Sequence, residues 1–560
     1  MRFKNVNFLI IFLNLAPWFF IFLNLYQLQF VQAGNFNISI EKIENSQFRV
    51  IPPKRGFIYV KDKDNNFYPV AISVRRYNLY FNPGLSQNIQ KDFKRLQSFY
   101  PETSALEVDP DKTILVEKNL DEEAKKRLEE LSLGPIFFEE YYQRVYPEKN
   151  LLATIIGFAA KSDEGFLDGQ YGLESYYNKT LRGEEGYRLS FDKIQAPISG
   201  RDIVLNIDYF VQKEAEKVLR ETVKEFEAQG GLIAISQPNG KIIALAEEPS
   251  FDLNKFNEIS DYKIFLTQFV QNYEPGSVMK AITYLSAIEN NVFNENQTYV
   301  DTGYVEINGW KISNFDKKGR GQVTLAEALE QSLNTGAVYV EKLIGHSNFL
   351  ETLKKFGFHQ PAQVDLPYLN EGNLKNLFSQ ESKDVNFATA SFGHGLSIAP
   401  AHLLAALNTI ASVGSRNNLR LMMGTIANGR VQEEKPIRIK NILKPSSIPR
   451  LNELLERVIV NGSGKKTKIA GFRIGGKTGS AFIPLENQKG YSEDVINTFL
   501  VIFPLTSPRF TMLVRIDRPT EGLARVTTVP AAKKMIEFLI NYYNIQPDNP
   551  QELVKMPSLP

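Results

Sequence analysis

Three short motifs place hydroxyl, amine and amide side chains at spacings that suit acyl transfer. In chain order they are Ser277-Val-Met-Lys280, Ser332-Leu-Asn334 and Lys477-Thr-Gly-Ser480. A serine hydroxyl becomes a nucleophile when a neighbouring group removes its proton, and a lysine with a lowered pKa can do this without a histidine. The set therefore predicts a serine acyltransferase, with catalytic residues in the first two motifs and substrate-binding residues in the third.

Similar short patterns occur elsewhere in the chain, so the surroundings decide which copy matters. Ser-x-x-Lys also fits residues 190–193 and 463–466, and Ser-x-Asn also fits 86–88 and 415–417, whereas Lys-Thr-Gly occurs once. Residues 463–466 lie within Asn-Gly-Ser-Gly-Lys-Lys, which we interpret as a flexible basic loop that holds no nucleophile in place. Only the set at 277, 332 and 477 has both the chain order and the surroundings that the chemistry requires.

The residues around Ser277 predict that the nucleophile lies at the start of a helix. Glu274-Pro-Gly is a helix-entry signal, and the apolar spacing that follows predicts a helix over 277–290. Lys280 then lies one turn from the serine on the same side. The helix dipole and a second cation, Lys477, both disfavour a charged amine, so we expect the pKa of Lys280 to be low enough for a general base.

The third motif is predicted to lie on a strand that receives a peptide. Glycines and strand-forming residues over 472–482 favour a strand whose edge can pair with an extended substrate. On this strand, Lys477 and Thr478 can hold a carboxylate, Gly479 allows close approach of another backbone, and the N–H of Ser480 can supply an oxyanion donor. These four residues are the substrate-binding candidates.

The middle motif is predicted to face the same cleft from a loop. It follows residues 324–331, which have helical spacing, so Ser332 and Asn334 fall just beyond a predicted helix. From there Ser332 can relay a proton between Lys280 and a leaving amine.

Composition narrows the class of protein. A chain of 560 residues with 43% hydrophobic and 23% charged residues has the make-up of a globular protein of two to four domains. The net charge of +2 is too small to indicate a nucleic-acid partner. The lack of cysteine excludes disulfides and thiolate metal sites and suits an extracytoplasmic protein. The four histidines have no paired ligand spacing, so we expect no metal and no cofactor.

The N-terminal residues predict a membrane anchor. No charged residue occurs over 5–40, and residues 8–26 are long enough to span a bilayer. Because Arg2 and Lys4 precede this stretch, we expect a cytoplasmic tail over 1–7, a single transmembrane anchor over 8–31 and an exported catalytic domain at the cell membrane. The alternative is a cleaved signal peptide ending at Val31-Gln-Ala33, although the apolar core exceeds the usual length of about 7 to 15 residues.

The rest of the chain divides into two predicted domains and a tail. Residues 36–200 mix strand-like runs with one amphipathic helix that begins at Asp121, and they contain no catalytic set. Residues 201–545 contain all three motifs. The proline-rich residues 546–560 are expected to be disordered.

Taken together, these residues resemble the class B penicillin-binding proteins, the monofunctional transpeptidases that cross-link bacterial peptidoglycan. The likeness covers about residues 50–545. It includes Gly230-Gly-Leu-Ile-Ala-Ile and Ser391-Phe-Gly-His-Gly in the catalytic part and Gln170-Tyr-Gly-Leu-Glu174 in the part that the family uses as a pedestal. Ile307-Asn-Gly-Trp is more similar to the cell-division type than to the elongation type.

The resemblance implies an α/β fold of the α+β kind. We expect a membrane-anchored, elongated pedestal domain of the dimerisation type over 36–200, followed by a penicillin-binding transpeptidase domain over 201–545. The second domain is expected to be an antiparallel sheet flanked by helices, with an all-helical subdomain.

The resemblance also implies roles for the catalytic residues. Ser277 would attack the penultimate carbonyl of a D-alanyl-D-alanine stem peptide and Lys280 would accept its proton. Ser332 would pass a proton to the departing D-alanine, and Asn334 would orient the donor amide and Lys280. A D-Ala-D-Ala carboxypeptidase reaction would be a possible side activity. Beta-lactams, which resemble the same dipeptide, would acylate Ser277.

The implied partners follow from that reaction. They are peptidoglycan stem peptides, beta-lactams, the membrane, a glycosyltransferase that makes the strands, and membrane proteins of the divisome or elongasome, with no nucleic acid. Septal wall synthesis during cell division is the favoured role. The alternatives are an elongation-type transpeptidase, a beta-lactam sensor or hydrolase with the same catalytic domain, and a non-catalytic scaffold of the division machinery.

The sequence departs from the family pattern at a few positions. Val278 and Ser480 both stand where the family commonly has threonine, and both leave the reacting groups intact. Arg55-Gly-Phe-Ile resembles the start of the pedestal, but the Asp-Arg pair expected after it is replaced near Val60 and Lys61. The resemblance is therefore a weaker guide to the polar contacts within this domain.

Overall fold

The computed structural model of the protein describes residues 49–554, except for 106, 107, 111, 132, 133, 163–165, 189–193, 380, 486, 487 and 489. The predicted cytoplasmic tail and anchor, residues 1–31, lie outside the described residues. Among the helices of the described residues, none is both long enough and apolar enough to cross a bilayer. We call residues 49–200 the pedestal unit and residues 201–554 the catalytic unit.

The pedestal unit is built on one long strand, Phe67–Phe81. It pairs antiparallel with Ile136–Val145 along most of its length and with Ile114–Leu120 at its far end. Two helices, Ile89–Phe99 and Glu122–Glu130, cover a small apolar core on this part of the sheet. The second of them is the predicted amphipathic helix, capped at its start by the carboxylate of Asp121.

The other elements of the pedestal unit are short. Its remaining strands are Arg49–Ile51, Ile58–Lys61, Ala159–Lys161, Leu167–Gly169, Gly183–Glu184, Gly186–Arg188, Ile194–Gln195 and Ile198–Ser199. Its remaining α-helices are Ala153–Ile156, Gly172–Tyr176 and Asn178–Arg182.

A buried ion triad holds three distant segments of the pedestal unit together. Arg55 Nε and Arg144 Nε each lie 2.6 Å from an oxygen of Glu174, and the three side chains are at most 2% exposed. Burial alone would raise the pKa of Glu174, but the charges of Arg144 and Arg55 outweigh it and hold that pKa below its usual value. Arg55 therefore has a buried partner although the expected Asp-Arg pair is missing.

One seven-stranded sheet runs through both units. From edge to edge its strands are Arg430–Glu433, Met422–Ala427, Ile203–Asp208, Ile58–Lys61, Phe67–Phe81 and then the pair Ile114–Leu120 and Ile136–Val145. Ile203–Asp208 lies parallel to Ile58–Lys61 and antiparallel to Met422–Ala427. All six residues of Ile203–Asp208 are buried. The two units on either side of the boundary predicted at residue 200 therefore share one continuous sheet.

The catalytic unit is organised around a five-stranded antiparallel sheet, here called the central sheet. In spatial order its strands are Ile242–Glu248, Gly230–Ser236, Phe510–Asp517, Tyr491–Phe503 and Gly475–Pro484. Successive residues of a strand face opposite sides, so Ile233 packs into one apolar core and Leu232 into the other. The last strand carries the third motif and forms an edge of the sheet.

Helices cover both faces of the central sheet, as predicted. Those packed into the core around Ile233 are Tyr209–Glu225 and Thr528–Tyr543. Those packed into the core around Leu232 include Lys280–Glu289, Pro400–Ala411 and Ser447–Val460.

The expectation of an all-helical subdomain is wrong. Helices Leu325–Glu330, Asn334–Ile344, His346–Lys355, Lys375–Phe378 and Asp384–Ala390 are present, but two antiparallel strand pairs precede them. These pairs are Thr298–Asp301 with Gly321–Thr324 and Tyr304–Ile307 with Trp310–Ser313. Asn308 and Gly309 have φ values of 50° and 79°, which is the Asn-Gly turn that closes a two-residue hairpin.

The end of the chain also differs from expectation. Residues 546–560 were expected to be disordered, but Pro550–Val554 forms a short helix. Asp548 accepts a hydrogen bond from Arg473 N at 2.8 Å, and Glu552 lies 2.7 Å from Lys468 Nζ. These contacts explain why the proline-rich composition did not prevent order here.

The catalytic unit also contains one further pair of short strands, Arg416–Asn417 and Arg438–Ile439.

Candidate active site

The predicted nucleophile, Ser277, lies in a tight turn that opens a helix. Residues Gly276–Met279 form a 3-10 turn, and the α-helix Lys280–Glu289 follows directly, so the predicted helix is present with Ser277 in its first turn. Gly276 has φ 62°, and a Cβ there would lie 2.8 Å from the Cβ of Ala481. Because only glycine fits this backbone and this gap, the turn can press against the edge strand.

Lys280 is buried beneath this turn among neutral acceptors. Its Nζ donates to the carbonyl oxygen of Ser332 at 2.5 Å and to Asn334 Oδ1 at 2.8 Å, and Ser332 Oγ lies 3.3 Å away. The side chain is fully buried. Burial lowers the pKa of Lys280 well below its usual value, and the charge of Lys477 lowers it further. The predicted direction is confirmed, with burial as the larger cause.

Ser332 is held between the two lysines. It has φ 60° in the turn between the helices Leu325–Glu330 and Asn334–Ile344. Its Oγ lies 2.9 Å from Lys477 Nζ as well as 3.3 Å from Lys280 Nζ. A non-glycine residue in this left-handed conformation costs about 1 to 3 kcal/mol. The structure therefore keeps a strained serine at a point from which a proton can pass between both amines.

Asn334 is fixed by a layer of residues that the sequence did not single out. Its Nδ2 donates to Ser313 O at 2.9 Å, which directs Oδ1 towards Lys280. Its backbone N donates to Asn314 Oδ1 at 2.9 Å, and Asn314 in turn donates to both carboxylate oxygens of Asp301. These positioning residues lie at or just after the ends of two short strands, and they reach Asn334 through contacts that its Ser-x-Asn motif does not specify.

Lys477 is the second buried amine of the site. It is 1% exposed, and its Nζ donates to Thr478 O at 2.8 Å and to Ser332 Oγ at 2.9 Å. Burial lowers the pKa of Lys477 to about 7. It can therefore be charged or neutral near neutral pH, according to what binds beside it.

Ser463, which we interpreted as part of a flexible loop, belongs to the site. It follows the helix Ser447–Val460 in a turn closed by Gly464 N, which donates to Val458 O. Its hydroxyl hydrogen-bonds the hydroxyl of Thr478. The sequence offered only an isolated Ser-x-x-Lys here, because the packing of this turn against the edge strand is a tertiary contact.

Gly479 and Ser480 bring the edge strand against the nucleophile turn. A Cβ on Gly479 would lie 3.1 Å from Val278 N and 3.2 Å from Pro275 O, so this position tolerates little more than glycine. Ser480 Oγ donates to Asn497 Oδ1 at 2.6 Å and accepts from Ala524 N at 3.1 Å. The side chain of Ser480 is thus fixed by protein contacts on the neighbouring strand and loop.

The predicted residues meet at one open pocket of about 170 Å³. It is lined by Ser277, Phe315, Gln331, Ser332, Ser463, Thr478, Gly479, Ser480, Leu523, Ala524 and Arg525. Lys280, Asn334 and Lys477 touch this lining from within the protein. Among the described residues, no three His, Asp or Glu side chains lie close enough to hold a metal ion. The arrangement offers a hydroxyl nucleophile, a buried amine base and a proton relay.

Two family models match the chain. The penicillin binding protein transpeptidase domain matches residues 230–537, which is more than half of the chain, and the penicillin-binding protein dimerisation domain matches residues 50–193. Both matches fall within the two units that the structure describes.

Individual relatives agree with these matches. The chain is 27% identical over 433 residues to stage V sporulation protein D of Bacillus subtilis, covering 74% of this chain and 66% of that protein. It is 25% identical over 441 residues to peptidoglycan D,D-transpeptidase FtsI of Escherichia coli, covering 75% and 71%. The structure of penicillin binding protein 2X from Streptococcus thermophilus superposes with a TM-score of 0.78 at 19% identity, covering 89% and 81%.

Proposed function

The chain belongs to the penicillin-binding protein transpeptidase family, and we propose that it is a class B enzyme that cross-links stem peptides through an acyl-enzyme on Ser277. The observation that carries this proposal is the pair of buried amines on either side of Ser332. The acceptors described for both amines are neutral. An uncompensated buried lysine readily loses its proton, which a general base beside a serine requires.

Acylation begins at Ser277. Its Oγ attacks the carbonyl carbon between the two terminal D-alanines, and Lys280, neutral in its buried site, accepts the hydroxyl proton. The resulting oxyanion is held by the backbone N–H groups of Ser277 and Ser480, and losing one such donor typically costs about 3 to 4 kcal/mol. Ser332 passes a proton from Lys280 to the departing D-alanine nitrogen as the C–N bond breaks.

The donor peptide lies along the edge strand. Thr478 and Lys477 bind its terminal carboxylate, and an anion there favours the charged form of a lysine whose pKa is about 7. Gly479 allows the donor backbone to come close, and Asn334 orients the donor amide together with Lys280. Ser463 supports this end of the site through its hydrogen bond to Thr478.

The acyl-enzyme is resolved by an amine of a neighbouring strand, or by water in the carboxypeptidase side reaction. The resemblance of Ile307-Asn-Gly-Trp to the cell-division type supports a role in septal wall synthesis, beside a glycosyltransferase and other division proteins. The predicted anchor over 8–31 would hold the catalytic unit outside the cell membrane as a single-pass protein. A fluorescent fusion that gathers at division sites supports the septal role, and one spread along the sidewall favours the elongation role.

Mass spectrometry after exposure to labelled penicillin tests the chemistry. We expect a single adduct on the peptide that contains Ser277, stable over minutes, and no adduct in Ser277→Ala. Folded protein with an unmodified Ser277 peptide overturns the mechanism. Rapid loss of the adduct to water would instead favour the hydrolase or sensor alternative. An intact adduct with no effect of Ser277→Ala on growth would favour the scaffold alternative.

A further inference from the structure

A second and larger pocket lies beside the nucleophile turn, on the side of Glu274. It measures about 450 Å³ and is bordered by Asn272, Glu274, Ser397, the end of the edge strand at Pro484, and Arg515. The mechanism above uses none of these groups. Because Glu274 is three residues before Ser277, their Cα atoms lie within about 11 Å of each other. A ligand that contacts Glu274 therefore touches a residue that lies close in the chain to the nucleophile turn.

The pocket presents acceptor oxygens to its contents. Glu274 accepts from Gly395 N and from Tyr491 OH, each at 3.1 Å, which leaves further lone pairs on the carboxylate. Asn272 Oδ1 is buried and has no hydrogen-bond partner among the described residues. Arg515 adds little free charge, because Asp517 accepts from it through two bonds of 2.6 and 2.8 Å. The net character is anionic, which suits a ligand with several N–H donors.

An aromatic contact leads from the pocket towards the proposed base, Lys280. His394 packs edge-on against the ring of Tyr491 at 5.4 Å, and it lies close enough to Lys280 that the lysine charge, after burial, lowers the pKa of His394. Tyr491, which donates to Glu274, therefore lies between the pocket and a histidine whose pKa the charge of Lys280 lowers.

We propose that this pocket is the acceptor subsite, where Glu274 and Asn272 bind the primary ammonium of a second stem peptide. The inference rests on the proposed transpeptidase function and deepens it. The ammonium gives one proton to the Glu274 carboxylate and becomes an amine. Its nitrogen attacks the acyl carbonyl carbon and forms the C–N bond. Its next proton passes through Lys280 to Ser277 Oγ as the C–O bond breaks, and the carboxyl proton returns to solvent.

The state of Glu274 fits this task. Burial raises its pKa to about 7, although the bonds from Gly395 and Tyr491 oppose the shift. A carboxylate with a raised pKa takes a proton from an ammonium more readily than an ordinary one. It also remains anionic enough near neutral pH to attract the ligand.

The test separates the acceptor half of the reaction from the donor half. Full-length protein in detergent is given a peptide ending in D-Ala-D-Ala and an acceptor peptide with one free lysine side-chain amine, or its acetylated form. Mass spectrometry gives the ratio of amine transfer to hydrolysis, and labelled penicillin gives the acylation rate. Glu274→Gln is the main variant, since a glutamine can still accept from Gly395 N and bond Tyr491. Glu371→Gln, which removes an exposed carboxylate outside the pocket, is the matched control.

We expect Glu274→Gln to lower the transfer ratio at least tenfold, with penicillin acylation changed less than threefold. Asn272→Ala should lower the transfer ratio about threefold. Glu371→Gln should leave the ratio unchanged. The acetylated acceptor peptide should give no transfer. An unchanged ratio in Glu274→Gln overturns the proposal, and so does slower use of the donor peptide at an unchanged ratio, which would place the donor in this pocket.

Two outcomes are interpreted with the help of Asn272→Ala or of the wild type. If Glu274→Gln loses penicillin acylation, Glu274 supports the nucleophile turn, and an unchanged ratio in Asn272→Ala then overturns the proposal. If the wild type takes no label from penicillin and releases no D-alanine, the proposed function fails rather than the subsite.

Discussion

The protein buries two pairs of basic side chains and treats them in opposite ways. In the pedestal unit, Arg55 and Arg144 share the carboxylate of Glu174. In the catalytic unit, Lys280 and Lys477 share a serine hydroxyl and neutral oxygens. A carboxylate compensates the charges of the first cluster, whereas burial lowers the pKa values of both lysines in the second, so that these lysines can lose their protons.

The choice of residue follows from this difference. Arginine keeps its proton at any pH that a protein survives, so a buried arginine needs a carboxylate. Lysine can become neutral, and the neutral amine is a base. Burial of a cation away from water thus leads to a stabilising ion triad in the pedestal unit and to the proposed general base in the catalytic unit.

Removing the carboxylate from the pedestal cluster should produce the largest effect. Glu174→Ala leaves two buried guanidinium groups without an opposite charge, and we expect the free energy of unfolding to fall by about 3 to 5 kcal/mol. Urea denaturation measures this change. Penicillin acylation per folded molecule should stay the same, because Glu174 touches no residue of the active site. A loss below 1 kcal/mol would show that the triad does not stabilise the fold.

A permanent cation in place of Lys280 should remove the ability of the second cluster to act as a base. Lys280→Arg keeps the charge but cannot serve as a base, so we expect acylation by labelled penicillin to slow by about 10²- to 10⁴-fold. Stopped-flow or quenched labelling gives the rate, and the melting temperature controls for folding. An acylation rate near that of the wild type would mean that another group removes the proton from Ser277.

The two clusters should also differ in the pH range where they affect stability. The pKa of Lys477 is about 7 in the folded state and about 10.4 when unfolded. The unfolded chain therefore binds more protons between these values, and the free energy of unfolding rises with pH by up to about 1.4 kcal/mol per unit. The pKa of Glu174 is lowered instead, so its contribution is present above about pH 4.3 and is lost as pH falls through its folded pKa.

Urea denaturation of the wild type and of Lys477→Met at pH 7, 8 and 9 checks this difference. The wild type should gain stability over the range, and the variant should gain less. Equal slopes in the two proteins would mean that Lys477 stays charged in the folded state.

The smallest expected effect concerns Ser463. Ser463→Ala removes the hydroxyl partner of Thr478, and we expect donor peptide binding to weaken by about 1 kcal/mol, or roughly fivefold in KM, with acylation by penicillin at saturation unchanged. Ser415→Ala, at one of the chance Ser-x-Asn matches outside the site, is the control. Equal KM values for the two variants would return Ser463 to the role of an ordinary turn residue.

The sequence predicted the positions of the motif residues better than it predicted the residues that hold them in place. Ser277, Lys280 and Ser332 lie on local signals, a helix entry and a turn after a helix, and their placement follows from a few neighbouring residues. Asn314 and Ser463 reach the site through contacts between distant elements, which no local pattern specifies. Asn308-Gly309 carries a hairpin signal that the expectation of an all-helical subdomain did not take into account.

The shared sheet was the hardest feature to foresee. Ile203 pairs with Ile58, 145 residues earlier, and with Thr425, 222 residues later. Neither distance nor direction of pairing can be inferred from alternation of apolar residues alone, because the strand is buried on both faces and has no alternation.

That sheet also sets the order in which the molecule can be completed during synthesis. Chains emerge from the N-terminus, and domains that fold as they emerge do so before the later residues of the chain have been made. Here the strand Ile58–Lys61 gains its parallel neighbour only after residue 208 has appeared, and that neighbour lacks its own partner until Met422–Ala427 has appeared. An unfinished chain therefore carries an open strand edge, of the kind that invites aggregation, through more than 200 residues of further elongation.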